Sequence, residues 1–208
     1  LKALQEVDVI YCPGTKSKEG NFKSYSRDII LSLPVEASKI RVFHVPMSKD
    51  RTFANRAYDE LCLEIAARIA EGKTVAVTAE GDSGFDALPI SSMHIPTSVI
   101  AGVPAFIAAG AVSGLHIVKQ EEKLIVLPGK TTLEELHELT TTNHVIVIMK
   151  LSQCTDTVHE FIRQHPDAEY HYYQNVGTAN EQHETDRNAL VEIEFPYFSL
   201  MIIRPAKR

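Results

Sequence analysis

Two small-residue turns hold the densest chemistry in the sequence. Residues 74–84 read TVAVTAEGDSG, a nearly charge-free run that stops at Glu80, Gly81, Asp82, Ser83 and Gly84. Glycine lets a backbone approach a ligand closely, and the free N–H groups of a strand-to-helix turn bind polar groups. The carboxylates of Glu80 and Asp82 could hydrogen-bond a sugar hydroxyl or favour a nearby cation. A tight turn with solvated acids accounts for the same residues. Residues 100–105 read IAGVPA and stop at Gly102, Val103, Pro104 and Ala105. Both stretches have buried-strand character and end in small residues. In open α/β sheets, ligands sit in the crevice outside the carboxyl ends of the strands. A small-molecule site is expected at these two loops.

Three other places have weaker chemistry. Met149-Lys150-Leu151 leaves the apolar run HVIVIM, and a methionine there can line a pocket with a soft, adaptable side chain or serve as ordinary core. The same two readings apply to Gly177-Thr178 within QNVGT and to Pro196 within FPYF. Near the start, Cys12-Pro13-Gly14-Thr15 is expected to end a strand, because Pro-Gly is a strong turn signal. Pro13, Gly14 and Thr15 form either a plain turn or a ligand-lining loop. Lys16, Lys23 and Arg27 beside them could meet carboxylates or form a solvated face. The nine histidines are scattered, His171 and His183 flanking an aromatic strand and its loop, and none has a partner at metal-ligand spacing. No metal site is expected.

Missing motifs narrow the chemistry further. There is no GxGxxG with an acid at the dinucleotide spacing, no GxxxxGK[ST] and no GxSxG. Nicotinamide, nucleoside-triphosphate and serine-hydrolase readings are poorly supported. A net charge of −6 without a long basic run argues against a nucleic-acid binder. Cys12, Cys62 and Cys154 are far apart and form no CxxC pair. They read as free thiols in a reducing, cytoplasmic compartment. Residues 99–118 carry no charged residue, but Pro104, Gly110, Gly114 and His116 interrupt them, so a strand and helix of a soluble core is expected in place of a membrane span.

The elements that must position these residues alternate as strand and helix. A helix tail precedes the strand Asp8-Val9-Ile10-Tyr11; residues 27–33 suit a short helix and residues 39–45 a strand. Asp50 is a candidate N-cap for a long helix reaching Glu71, with a core stripe of Ala54, Ala57, Tyr58, Leu61, Ile65 and Ile69 and Gly72 just past its end. Residues 74–79 follow as a central parallel strand. Between Phe85 and Pro96 the chain is too short for a usual crossover. Residues are therefore expected to be missing near the Phe85–Asp86 junction, and also before Leu1. Pro104 suits the first position of a helix over 105–113 that Gly114 ends. The domain boundary is placed where composition turns charged, giving domains 1–118 and 119–208.

The second half has a strand over 123–127 and a Pro128-Gly129 turn. Thr131 and Glu134 form a possible capping box for a helix to about Thr142. A buried strand over 144–149, a helix over 155–164 and an aromatic strand over 168–173 follow. Residues 175–187 read as loop, and residues 190–195 and 197–203 as a hairpin-like pair around Pro196.

Taken together, EGDSGF, VIAGVPAF and VIMKL resemble the tetrapyrrole methylase family over nearly the whole chain. Within that family the chain looks most like the enzymes that methylate C20 of precorrin-2 or cobalt-factor II. Gly81-Asp82-Ser83 resembles the family's GDP turn with Ser in place of Pro, and Gly102-Val103-Pro104-Ala105 its PG[IV]SS loop with departures. Met149-Lys150, Gly177-Thr178 and Pro196 resemble later positions beside the adenosyl group. Leu1-Lys2-Ala3-Leu4 and Asp8-Val9-Ile10 resemble the segment after the family's GxGPGD turn, which this sequence lacks. The resemblance implies two α/β domains, a parallel N-terminal sheet and a mixed C-terminal sheet, with the active-site cleft between them. It implies S-adenosylmethionine as methyl donor, held by Gly81, Asp82, Ser83, Gly84, Gly102, Val103, Pro104, Ala105, Met149, Lys150, Gly177, Thr178 and Pro196. A tetrapyrrole substrate would lie near Pro13, Gly14 and Thr15, with Glu80 or Asp82 as candidate base, in a cytoplasmic homodimer. Two other readings remain open here: the same donor with another acceptor (another corrin position, uroporphyrinogen III, an RNA ribose or diphthine), or a non-enzymatic adenosine-ligand or interaction module.

Overall fold

Ile10 and Cys12 face one side of a strand and Tyr11 the other, and this alternation organises the first sheet. A computed structural model of the chain describes residues 1–16, 20, 22–46, 52–79 and 95–206. Helix α1 (Lys2–Glu6) leads into β1 (Val9–Lys16), followed by β2 (Phe22–Lys23), α2 (Tyr25–Leu31), β3 (Ile40–His44), α3 (Thr52–Ala70) and β4 (Val75–Val77). β1 lies between β3 and β4, parallel to both, and pairs antiparallel with β2 only at Thr15 and Lys16. Ile10, Cys12 and Ile30 of α2 are buried together on one face, with Leu4, Val7 and Val42 packed against them. Tyr11 is buried on the other face with Leu61 and Ile65 of α3. Alternation in the strand and helical spacing in α3 thus bury one layer on each side of the sheet.

The expected strand end at residues 12–15 is corrected by the structure, because β1 continues through Pro13 and Gly14 to Lys16. The carbonyl of Gly14 accepts from Val45 N, so even-numbered residues of β1 bond to β3. The ladder to β4 stops at Tyr11 paired with Val77. The N–H that Pro13 lacks would face the β4 side beyond that last pair, where a proline is tolerated. Gly14 allows the close approach of β3, since a Cβ there would lie 2.6 Å from Cγ1 of Val42. Helix α3 ends as expected at Gly72: Lys73 N donates to Arg68 O at 3.0 Å and Gly72 N to Ile69 O at 2.9 Å, a Schellman closure. Asp50, the expected N-cap, lies outside the described residues.

The chain divides into two compact units, Leu1–Gly102 and Val103–Arg208. The boundary falls before the helix expected to close the first domain, not at 118/119. The reason is that α4 (Ala105–Ser113) buries Phe106 and Ala109 with Val145, Val147, Tyr173, Leu200 and Ile202 of the second unit. Residues 95–104 have no regular secondary structure, and Val99, Ile100 and Val103 are exposed, so the strand expected over 100–105 is not formed. An apolar run becomes a strand only where a ladder partner satisfies its backbone. Pro104 is the N-cap of α4 with extended ψ, one position earlier than expected, and Gly114 at φ 67° ends the helix.

After α4 come β5 (Lys123–Leu127), α5 (Leu133–Thr141), β6 (His144–Met149), α6 (Thr155–Gln164), β7 (Glu169–Gln174), β8 (Gln182–Glu184), α7 (Arg187–Leu190) and β9 (Ser199–Arg204). The sheet order is β5-β6-β9-β7-β8, with β5 and β6 parallel and the other neighbours antiparallel. Leu136, Val158, Phe161, Ile162 and Leu190 cover one face together with Ile146, Ile148 and Met201 of the strands. Helix α4 covers the other. The capping residue of α5 is Thr132, whose Oγ1 accepts from Glu135 N at 3.2 Å, one step later than the expected Thr131/Glu134 box. The expected hairpin around Pro196 is replaced by the short α7, an irregular stretch, and β9 inserted between β6 and β7. β8 forms inside the stretch expected to be loop. None of the described helices is long and apolar enough to cross a membrane.

Candidate functional site

One end of the second unit's sheet gathers five chain segments. The parallel strands β5 and β6 exit there at Leu127 and Met149. β9, antiparallel to β6, enters there, with Leu200 opposite Met149. β7 exits there, with Gln174 opposite Ser199, and β8 enters opposite the same Gln174. Carboxyl ends of adjacent parallel strands leave their last backbone groups outside the ladder, which is where α/β sheets bind ligands.

The β6 exit is built tightly. Lys150 takes the left-handed conformation at φ 56°, and its N–H donates to Ser199 O at 2.9 Å, so the chain turns sharply while still tied to β9. The β5 exit lies against it at Gly129, φ 119°, where a Cβ would stand 2.9 Å from Met149 O and 3.2 Å from Lys150 O. Met149 is half-buried against the apolar cluster that also receives Ala105 and Val176. The Lys150 ammonium stands 5.9 Å from the centre of the Tyr197 ring, within reach of a cation–π attraction.

The β7 exit continues into a self-bonded turn. Asn175, at φ 51°, donates its N–H to Phe198 O at 2.9 Å, tying the turn to the β9 entry. Gly177 N donates to Glu181 Oε2 at 2.6 Å, Thr178 Oγ1 to Asn175 O at 2.8 Å, and Asn180 N to Thr178 Oγ1 at 3.2 Å. Before β9, Ser199 Oγ bonds back to Pro196 O, and His159 of α6 holds Ile193 O at 3.1 Å while its ring meets Phe195.

The structure therefore brings Met149, Lys150, Gly177, Thr178 and Pro196 to one sheet end, and Ala105 packs on the same apolar cluster as Met149. Gly102 and Val103 are exposed, and Pro104 is half-buried ahead of α4. Pro13, Gly14 and Thr15 belong to β1 of the first unit. Glu80, Gly81, Asp82, Ser83 and Gly84 lie outside the described residues. Gly129 and Glu181 escaped the sequence reading as site residues, whereas Asn175 and Tyr197 lie in QNVGT and FPYF, the two segments it singled out. Pro128-Gly129 gave a turn signal at the end of an apolar strand, the same grammar that marked Met149. Glu181 gave none, because its carboxylate takes its role only in the folded turn, where it accepts from Gly177 N.

The model of the tetrapyrrole (corrin/porphyrin) methylases matches residues 1–190. The chain belongs to the tetrapyrrole methylase family. As a member it is an S-adenosylmethionine-dependent methyltransferase. A relative, the precorrin-2 C(20)-methyltransferase of Sinorhizobium sp, is 26% identical over 215 aligned positions that cover 98% of this chain and 86% of that protein. Among solved structures, a cobalt precorrin-4 methyltransferase of cobalamin biosynthesis superposes with a TM-score of 0.70 at 16% identity, covering 98% of this tetrapyrrole methylase and 86% of that chain. The uroporphyrin-III C-methyltransferase of Thermus thermophilus, solved with S-adenosylhomocysteine, gives 0.60 at 14% identity over 98% and 88% of the two chains. These structures share the two-sheet fold.

Proposed function

We propose that this methyltransferase acts in cobalamin biosynthesis by methylating C20 of precorrin-2 or cobalt-precorrin-2. The observation that carries the reading is the match to the Sinorhizobium C(20)-methyltransferase across 98% of the chain. Bound S-adenosylmethionine supplies a methyl group on a sulfonium, for displacement by a nucleophilic meso carbon. Holding the reactants in line can supply much of the rate of such a displacement.

The residues at the sheet end fit the donor. Met149 offers a soft apolar wall beside the turn at Lys150, and Gly129 keeps the β5 exit close to both carbonyls. Lys150, Gly177, Thr178 and Pro196 surround that wall at the exits of β6 and β7 and the entry of β9. In this reading Gly81, Asp82, Ser83, Gly84, Gly102, Val103, Pro104 and Ala105 complete the donor site, Pro13, Gly14 and Thr15 meet the tetrapyrrole, and Glu80 or Asp82 takes the proton that leaves C20. The reading includes a cytoplasmic homodimer.

Calorimetric titration with S-adenosylhomocysteine tests the donor site. Micromolar binding that weakens in Met149→Ala is expected, and unchanged affinity in that variant would remove Met149 from the site. Absorbance spectra and product mass with precorrin-2, with and without cobalt, then test the acceptor. A methylated product whose new methyl lies elsewhere than C20 would overturn the regiochemistry. The fold similarity to enzymes of other acceptors makes another corrin position the second reading.

A further inference from the structure

The turn over 175–181 is held on one side far better than on the other. On the β7 side it continues a strand paired along its whole length with β9, and Asn175 is tied to Phe198. On the β8 side it leads into three residues whose ladder is with β7 alone. A three-residue edge strand has little ladder of its own to keep it docked. Within the turn, the bonds among Asn175, Gly177, Thr178, Asn180 and Glu181 make it a unit, so its position follows its two ends.

At the weak end, His183 is clamped by side chains of β7. Its ring lies parallel to that of Tyr173, at 1° and 4.5 Å between centres. Its Nε2 is 3.3 Å from Nδ1 of His171, and Nε2 of His171 is 2.7 Å from Oε1 of Glu169. Tyr173 is in turn fixed by a 2.7 Å bond between its hydroxyl and Ser113 Oγ of α4. The result is a line of side chains, Glu169, His171 and His183, lying beside a ring anchored to the helix.

We infer that His183, held by His171 and Glu169, is the positioning residue that keeps β8 docked and so fixes the Gly177-Thr178 turn at the donor end of the sheet. The inference rests on the donor-site reading for its functional consequence and on the geometry alone for the docking itself.

Proton count follows from the distances. Glu169 as a carboxylate only accepts, so Nε2 of His171 carries hydrogen. Nδ1 of His171 and Nε2 of His183 can then share one hydrogen between them. The contact holds with both rings neutral or with a single ring charged. When both are charged, two N–H groups face each other and the contact opens. Burial first, and the neighbouring His171 next, lower the pKa of His183, against weaker opposing pulls from Glu184 and Glu181. The bond to His171 lowers that of Glu169, where Arg204 and Lys119 also act. Glu169 and Glu181 are the charges that bear on Tyr173. A histidine with a depressed folded pKa contributes stability present above its ordinary value of 6.5 and lost as pH falls from there towards the folded value.

The test is S-adenosylhomocysteine affinity and amide hydrogen exchange of residues 175–184, on the full chain, between pH 8 and pH 5.5. For the unaltered protein, affinity is expected to fall roughly threefold to tenfold across that range, the worth of about one net hydrogen bond, while exchange at 182–184 rises. His183→Phe keeps the ring stack and loses the bond. It should show the weakened affinity and fast exchange already at pH 8, with no further pH dependence. His183→Gln, whose amide can still donate to Nδ1 of His171, should restore protection at pH 8. Wild-type affinity and exchange in His183→Phe would overturn the inference, as would an unchanged pH dependence. If the unaltered protein binds no S-adenosylhomocysteine, the donor-site reading fails by itself. The docking role is then decided by exchange alone: normal protection at 182–184 in His183→Phe ends it.

Discussion

The carbonyl oxygen of Met149 lies 2.9 Å from where a Cβ of Gly129 would stand, so the exits of β5 and β6 pack backbone against backbone. A carbonyl of a paired strand cannot rotate away as a flexible side chain can. Gly129→Ala is therefore expected to destabilise the protein by about 1–3 kcal/mol, the cost of forcing a side chain into a backbone conformation at φ 119°. It should also weaken S-adenosylhomocysteine binding. Gly177→Ala is the control: φ is 78°, but no atom lies within 4 Å of its Cβ position. Melting and titration of both variants should show the larger loss at Gly129, and equal losses would mean that strain alone, without the close contact, sets the cost.

Arg204 is 4% exposed and holds three groups of the segment after α4. Its Nη1 meets both Glu122 oxygens at 3.1 Å, and its Nη2 bonds the carbonyls of His116 and Ile117. Arg204→Met should cost about 3–5 kcal/mol, because a part-buried carboxylate and two carbonyls lose their partner at once. Adding Glu122→Gln should recover part of the loss, since the remaining group is neutral. Urea unfolding of the single and double variants measures this, and strictly additive losses would deny the coupling.

The alternation of apolar segments made much of this fold legible. β6 and α6 lie where HVIVIM and the following helical spacing put them, since each buries a face within its own few residues. The stretches that misled depend on partners distant in sequence. Residues 100–105 and β9 are both apolar, yet of the two only β9 has strand partners among the described residues, β6 and β7, to complete its ladder. β8 is polar, QHE, and becomes a strand only because β7 lies beside it. Pro13 and Gly14 spell a turn locally, but the ladder to β3 carries the strand through them. The site followed the same rule. Met149 and Lys150 were visible as a strand exit, and Gly177, Thr178 and Pro196 came from small-residue segments and the family resemblance, whereas Gly129 mattered through a contact to the next strand and His183 through one to His171.

The three cysteines should differ sharply in reactivity. Cys154 is buried at the start of α6, and burial pushes its thiol up to about 11. Cys62 on α3 is half-buried and shifted upward by burial first and by Asp59 second. Cys12 is fully buried in β1. Since the thiolate is the reactive form, alkylation of the native protein at pH 8 should modify Cys62 first and slowly. Cys12 and Cys154 should react only on unfolding. Peptide mass mapping over time gives the order, and early labelling of Cys154 would contradict its burial.

Asp8 and Thr74 close the entry of β1 against β4. The Asp8 carboxylate accepts from Thr74 N at 2.8 Å and from Thr74 Oγ1 at 2.9 Å, while Asp8 N donates to Thr74 Oγ1 at 3.1 Å. The backbone bond from Thr74 first, and its hydroxyl second, hold the carboxyl below the ordinary 3.8, with Lys73 and Lys39 adding to the effect. Bonds to the ionised form depress a carboxyl pKa in this way. A depressed folded pKa means that the contribution to stability is present above 3.8 and lost as pH falls through the folded value. Carbon-detected NMR titration of Asp8 should give a midpoint below 3.8. In Thr74→Val the hydroxyl is gone and the N–H remains, so the midpoint should move up part of the way. A midpoint at 3.8 in the unaltered protein, or no movement in the variant, would show that these bonds do not hold the charged form.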